Sequence, residues 1–402
     1  MRALMYTWEY PPHLVGGLGS HVAHLAPALI RQGVEVHVIT PRLAGGPRLE
    51  DISIDGRTRG VVERIEPPFR QLSNFDADVE QTNLNLAEAG AACIRDRGAD
   101  IIHAHDWLVA SASLTLKRLY KIPLVSTVHA TERGRSRGTI GGDLSEAING
   151  AEWWLTYESW RVICTSRFMA REISAYFHVP ADKIDVVPNG VDSAPFDALD
   201  ALDLTDFRRR FADPGDQIVF HVGRLVHEKG PQLIVEAAPA VLSAVASARF
   251  VVAGNGPMLG YLQSQAWRLG VGQSFYFPGR ISDEVRNRLY KVAQCAVFPS
   301  LYEPFGIVAL EAMAAQCPVV VANTGGLSEV VENHRTGIVV EPDHVGSLAW
   351  GIAHTLAHPG WARARAANAY HKVREDYNWD KIAQQTVAVY QRVIDERRQV
   401  AW

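Results

Sequence analysis

The strongest constraint on this chain is an alternation that runs through it twice: apolar runs of strand length separated by segments with helical period. The first series reads as Arg2–Trp8, Glu35–Thr40, Ile101–Ala104, Pro123–Val128, Arg161–Thr165 and Ile184–Val187. The second reads as Gln217–Val222, Arg249–Ala253, Phe275–Phe277, Cys295–Phe298 and Pro318–Ala322, with helices such as Ser20–Gln32, Pro231–Ala246 and Phe305–Gln316 between strands. A strand apolar on both faces must be covered on both, and a parallel crossover needs a helix, so the pattern predicts parallel sheets sandwiched by helices. The connector Asn189–Asp216, rich in Asp, Ala, Pro and Gly, separates the series and puts the boundary near Asp192. The expectation is an α/β protein of two doubly wound, Rossmann-like domains, 1–192 and 193–375, facing across a cleft. Segment 376–402, with one helical period over Trp379–Arg398, is expected to pack back toward the N-terminal domain and brace both. Ligands in such sheets sit beyond the carboxyl ends of the strands.

Composition narrows the function classes. The 402 residues are 47% hydrophobic and 21% charged, enough apolar material for two ordinary cores and too much for a disordered chain. Lys and Arg number 40 against 44 Asp and Glu, a net charge of -4, without the basic excess that coating nucleic acid demands. Cys93, Cys164, Cys295 and Cys317 stand singly, which fits reduced, buried thiols rather than a zinc ribbon or a disulfide framework. The N-terminal apolar run is too short for a signal peptide and stops at Pro11 and Pro12, and no run approaches the roughly 18 apolar residues of a membrane span. A cytoplasmic protein without a transmembrane segment is expected. Peripheral membrane contact and oligomeric state are left open.

Four groups of residues carry chemistry. Gly16-Gly17-Leu18-Gly19 lies just before a helix, where glycine lets backbone approach a ligand and a helix start attracts anions; its spacing is not that of a dinucleotide fingerprint. His103-Ala104-His105-Asp106-Trp107 ends one strand and His129 ends the next, so His129, His105 and Asp106 share a sheet edge. H-x-H-x-D resembles the opening of some metallohydrolase sites, but Leu108 stands where the next His belongs, and no metal is expected. Gly223-Arg224 and Lys229-Gly230 flank a strand-to-helix loop, converging a guanidinium fork and a point charge suited to phosphates. Glu303 precedes the helix start at Phe305–Gly306, and Glu311, eight positions on, lies in its second turn. Two carboxylates among phosphate-binding cations would repel phosphates unless they take sugar and ribose hydroxyls. A glycosidase also pairs carboxylates, but it needs neither the cations nor the helix start. The combination points to a nucleotide-sugar.

The run from Glu303-Pro304-Phe305-Gly306 to Glu311 resembles the E-x7-E signature of retaining GT-B glycosyltransferases of glycosyltransferase family 4. Gly223-Arg224 with Lys229-Gly230, Pro188-Asn189-Gly190-Val191-Asp192, Gly254-Asn255-Gly256-Pro257 and Gly325-Gly326-Leu327 match that family in order, over nearly the whole chain. His103–Leu108, Ser126–Thr131 and Trp8–Pro12 resemble its glycogen/starch synthase-like branch, which includes bacterial α-glucan and exopolysaccharide glucosyltransferases. The resemblance implies a hexosyltransferase moving glucose from a nucleotide diphosphate sugar to a glycan or glycoside acceptor. Configuration would be retained, with no metal and no cofactor beyond the sugar nucleotide substrate. It implies that Gly17 and Gly19 shape the loop near donor phosphates and acceptor, and that His129 and Asp106 hold the transferred sugar around its 6-hydroxyl. Arg224 and Lys229 would bind the diphosphate, Glu303 the sugar's 3- and 4-hydroxyls, and Glu311 the ribose. Phe305, Gly306 and Ile307 would line the donor, with the Gly306 and Ile307 amides at phosphate or sugar, and Asn255, Arg280 and Ile281 the base pocket. The loop Arg133–Asp143 is expected as a mobile polar lid on the acceptor side. ADP-glucose glycogen synthases carry Lys before the Gly-Gly-Leu turn, where this chain has Val15, and the chain is shorter than typical bacterial glycogen synthases. Both features weaken an ADP-glucose glycogen synthase assignment and leave UDP-glucose open; UDP-glucose is the favoured donor, with ADP-glucose as the alternative. A GT-B nucleotide-sugar epimerase, a phosphorylase or a non-catalytic nucleotide-sugar-binding protein would share the same scaffold.

Overall fold

Strand β1 (Arg2–Tyr6) is buried from its second residue on and seeds an eight-stranded sheet in the order β3-β4-β2-β1-β5-β6-β7-β8. The other strands are β2 (Glu35–Pro41), β3 (Leu49–Ile54), β4 (Arg57–Ile65), β5 (Ile101–His105), β6 (Leu124–Val128), β7 (Arg161–Cys164) and β8 (Ile184–Val186). All neighbours pair in parallel except β3 with β4, an antiparallel edge. The computed structural model describes residues 1–54, 56–68 and 75–400, so the last two residues of the expected segment 376–402 lie outside the described ones.

The chain divides into two units, Met1–Gly190 with Trp379–Trp402, and Val191–Asn378. In the first, the helix Gly17–Arg31 buries Leu18, Val22, Leu25, Ala26 and Leu29, and the helix Trp379–Arg398 buries Trp379, Ile382, Ala383, Val389, Tyr390 and Val393. Most of these share one core with Met5, Val36 and Val38 of β1 and β2, each large side chain contributing roughly 1.5–3 kcal/mol of transfer free energy. Tyr390 also donates or accepts a 2.6 Å bond at His103 Nδ1, tying the C-terminal helix to β5.

The second unit holds a six-stranded, wholly parallel sheet, β11-β10-β9-β12-β13-β14. Its strands are β9 (Gln217–Val222), β10 (Ala248–Ala253), β11 (Phe275–Gly279), β12 (Cys295–Phe298), β13 (Val319–Ala322) and β14 (Ile338–Val340). Alternate residues feed opposite layers: Ile218, Phe220, Ala296, Phe298, Val319 and Val321 face one core, and Val219, Cys295, Val297 and Val320 the other. The strand order reverses direction between β1 and β5 in the first sheet and between β9 and β12 in the second. At such points the loops diverge and leave a crevice beyond the strand ends.

The sequence reading missed β3, β4 and β14. β3 and β4 carry Glu50, Asp51, Arg57, Arg59, Glu63 and Arg64 at a sheet edge, so they lack the continuous apolar signal, and β14 is three residues long. Among the described residues no helix is long and apolar enough to cross a membrane.

Candidate active-site residues

In the first unit the residues that leave β5 and β6 are held by buried carboxylates. Asp106 takes φ of +61°, a conformation that side-chain-bearing residues avoid, and its Oδ1 accepts the His129 backbone N–H at 2.7 Å. Burial pushes the Asp106 carboxyl up to about 7 against the pull of those backbone bonds. His129 Nε2 lies 3.2 Å from His105 Nδ1, so the three residues expected to share an edge do meet there. His103 does not join them. Its Nδ1 meets Tyr390 and its Nε2 meets Thr127 at 2.7 Å, leaving it a core residue.

The loop beyond His129 is ordered by its own caps. Thr131 accepts from Gly134 N at 2.9 Å, and the Glu132 N–H donates to the buried Glu152 carboxylate at 2.9 Å, whose pKa burial raises to about 8. Glu132–Arg135 is therefore a helical turn, and Arg133 lies over the Tyr176 ring, 5.2 Å from its centroid. The expected mobile lid over Arg133–Asp143 begins as a capped turn: Thr131 supplies the N-cap that the Gly- and Arg-rich composition hid.

Gly19 packs where a Cβ would lie 2.8 Å from Glu9 Cβ and 2.5 Å from Leu14 Cδ2. It lets the helix start close on the Trp8–Pro12 loop, and Glu9 Oε2 accepts from Val15 and Gly16 N–H at 2.9 Å each. Gly17 opens the helix itself.

In the second unit the loops after β9 and β12 meet at the switch point. Lys229 Nζ lies 2.8 Å from Glu303 Oε2, and Ser300 Oγ donates to the same oxygen at 3.3 Å. Glu303 is buried, whereas Arg224 is half exposed and pairs with Glu228 at 3.2 Å. Gly230, at φ +69°, starts the helix Pro231–Ala244, and a Cβ there would lie 2.0 Å from Pro299 O, so the two loops touch backbone to backbone. Gly306 caps the helix Ile307–Ala314 at φ +102°; Phe305 is buried beside it, and Gly326 N donates to Glu303 O at 2.9 Å. Glu311, in that helix, faces Arg286 at 3.4 Å and the Tyr290 hydroxyl at 3.5 Å. Asn255 and the Arg280-Ile281 pair come together after β10 and β11 through Gly254 N–H to Gly279 O at 2.8 Å; Leu225 N–H donates to Asn255 O at 2.9 Å. Arg280 is exposed and Ile281 packs on the core.

Residues 15–194 match the family model described as Glycosyltransferase Family 4, and residues 204–372 that described as Glycosyl transferases group 1. An uncharacterized glycosyltransferase of Methanocaldococcus jannaschii, MJ1607, is 38% identical over 97% of this chain and 98% of its own length. The chain belongs to glycosyltransferase family 4. Within it, a glycogen synthase of Mycobacterium tuberculosis is 37% identical over 97% of this chain and 94% of its own length, which places the chain with the glycogen/starch synthase-like branch. That relative is nearly as short as this chain, so length does not separate this glycosyltransferase from a glycogen synthase. A solved sucrose-phosphate synthase from Thermosynechococcus elongatus superposes with a TM-score of 0.83 at 23% identity, covering 98% of this chain and 99% of its own, and shows the GT-B fold.

The sequence reading of this glycosyltransferase missed Ser300, Arg286 and Tyr290 beside its two glutamates, and His21 and Asn189 beside His105 and His129. His21 Nδ1 lies 2.6 Å from Asn189 Oδ1. His21 follows the glycine turn by two residues and Asn189 sits in a quoted motif, but nothing in sequence joins positions 168 apart.

Proposed function

We propose that the protein is a retaining, metal-independent hexosyltransferase. It moves glucose from a nucleotide diphosphate sugar, UDP-glucose in preference to ADP-glucose, to a glycan hydroxyl in α-glucan or exopolysaccharide synthesis. The observation that carries this reading is the pairing of Lys229 with the buried Glu303 at the switch point of the C-terminal sheet, beside Arg224 and the helix start at Ile307. A cation and a carboxylate within 2.8 Å suit a ligand whose pyrophosphate adjoins a polyhydroxylated ring: the ammonium meets phosphate oxygens, and the carboxylate accepts from the 3- and 4-hydroxyls. Gly306 and Ile307 would present amides, Phe305 would back them, and Glu311 would accept from the ribose. Asn255, Arg280 and Ile281 would border the base. In the N-terminal unit His129 and Asp106 would hold the transferred sugar, and Gly17 and Gly19 shape the phosphate-side loop. Val15, standing in place of a lysine, supplies one cation fewer than ADP-glucose glycogen synthases have there.

The reaction we infer is a front-face displacement. The bond from the anomeric carbon to the phosphate oxygen breaks heterolytically, that oxygen takes the proton of the incoming hydroxyl, and the new C–O bond forms on the same face of an oxocarbenium-like sugar. Negative charge grows on the leaving diphosphate, so fixed cations act most strongly in the transition state. Arg224, Lys229 and the helix start supply that charge without a divalent cation, and transfer should persist in excess chelator. The test is a thermal-shift panel of UDP-, ADP- and GDP-sugars, since a ligand selective for the native state raises its melting point, followed by nucleoside diphosphate release with an acceptor glycan. Stabilisation by UDP-glucose with acceptor-dependent UDP release is expected. Release without acceptor would indicate an epimerase or hydrolase, and binding without release a sensor. Either outcome overturns the proposal.

A further inference from the structure

We propose that His21, His105 and His129 form a site for one borderline divalent cation of the Zn²⁺ class, and that its occupancy withdraws His129 from the transferred sugar. The second clause rests on the function proposed above; the first does not.

The three imidazoles come from separate elements, the helix Gly17–Arg31, the end of β5 and the residue after β6. One ring nitrogen of each lies within 4.8 Å of the others. The closest pair, His105 Nδ1 and His129 Nε2, is 3.2 Å apart. Two nitrogens on a tetrahedral zinc at about 2.0–2.1 Å stand about 3.3–3.4 Å apart, close to the separation of this pair, and His21 brings a third ring nitrogen within 4.8 Å of both. His21 is set up for it. Its Nδ1 carries the hydrogen that the Asn189 amide oxygen accepts at 2.6 Å, which leaves a lone pair on Nε2. That nitrogen is buried and has no hydrogen-bond partner, in a residue 3% exposed. A carbonyl-type acceptor on the far nitrogen fixes tautomer and ring direction in metal-binding histidines generally. When a cation replaces the hydrogen shared by His105 and His129, His105 moves its proton to Nε2, also buried and unpartnered.

The neighbours define the set. His103 spends both nitrogens on Tyr390 and Thr127, and Asp106 accepts from His129 N–H, so the donors are three imidazoles with a fourth position for water. A nitrogen-only set suits Zn²⁺, Cu²⁺ or Ni²⁺ and disfavours Mg²⁺ and Ca²⁺. Of the three, His129 is half-buried and the other two are buried.

The test uses the full chain stripped with chelator and titrated calorimetrically with Zn²⁺ alone, with Co²⁺ as a spectroscopic probe. One ion per chain and a tetrahedral Co²⁺ spectrum are expected. His21→Gln and His105→Gln should abolish uptake. Asn189→Leu should weaken it by about 10–100-fold, and the exposed His24→Gln should leave it unchanged. Circular dichroism and the melting shift produced by UDP, read in the other unit, confirm that each variant is folded. Absent uptake, or uptake equal in His21→Gln and His24→Gln, overturns the site. Zn²⁺ should also inhibit transfer, reversibly on chelation. Stoichiometric tetrahedral binding with undiminished transfer would overturn the blocking clause, whereas failure to transfer with any donor would overturn the proposed function and leave the titration standing.

Discussion

Arg224→Ala separates a phosphate-binding cation from a surface charge more cleanly than any other substitution in this site. Arg224 is half exposed, and its ion pair with Glu228 at 3.2 Å is a loop surface pair, a class worth about 0.2–1 kcal/mol. Losing it should lower the melting temperature by no more than about 4 °C at about 2–4 °C per kcal/mol. Removing one preorganised donor from a developing oxyanion costs about 2.7–4 kcal/mol, a hundred- to thousandfold in turnover. Stability and catalysis are thus expected to part by two to three orders of magnitude. The assay is acceptor-dependent release of nucleoside diphosphate, run beside thermal melting. Arg224→Lys should recover part of the loss, because it restores the charge and not the two-pronged fork. A variant that melts normally and turns over within about threefold of wild type would refute the reasoning, since a cation touching the leaving group cannot cost so little.

Three further outcomes follow from the geometry. Arg286→Met should raise the donor KM about tenfold by removing a charged partner of Glu311, and combined with Glu311→Gln it should add little; full additivity in the double variant would show that the two act separately. Gly230→Ala places a Cβ 2.0 Å from Pro299 O at φ +69° and should cost more than about 2 kcal/mol; a melting temperature within about 1 °C of wild type would contradict the backbone contact. For His37, burial opposes the charge, but hydrogen bonds to Cys93 and Glu63 outweigh it and raise the pKa to about 9. Because the folded value exceeds the ordinary 6.5, this stability is full below about pH 6.5 and is lost as pH rises through 9. His37→Gln should flatten the melting-temperature profile in that window, and an unchanged slope would count against the pair.

The parallel strands were legible because burial on both faces leaves an unbroken apolar run, as in β6 and β12, each buried throughout. β3 and β4 were hidden because charged residues interrupt their apolar runs. The helix Trp379–Arg398 was legible to the residue from its period alone. Candidate-site residues stand out in the sequence where loop chemistry marks them, by glycine, proline and strand-end polarity, and are hidden where sheet order joins distant segments. Lys229 and Glu303 stand 74 positions apart, His21 and Asn189 168, and no local pattern encodes either pairing.

Those pairings also resolve a difficulty that the E-x7-E spacing raises. Two bare carboxylates next to a pyrophosphate would oppose its binding, yet Glu303 is matched by Lys229 and Glu311 by Arg286. Each matched carboxylate keeps lone pairs for hydroxyl donors while its charge is offset. The division of labour is uneven. In the proposed reaction Lys229 would serve Glu303 and the diphosphate together, so Lys229→Ala should disturb both sugar and phosphate contacts and its rate loss would have two sources. Arg224 lies outside both pairs, with Glu228 as its partner, and can turn its fork to phosphate without unpairing either glutamate of the motif. On that ground the loss in Arg224→Ala should fall mainly on turnover, and that in Lys229→Ala on turnover and donor affinity together.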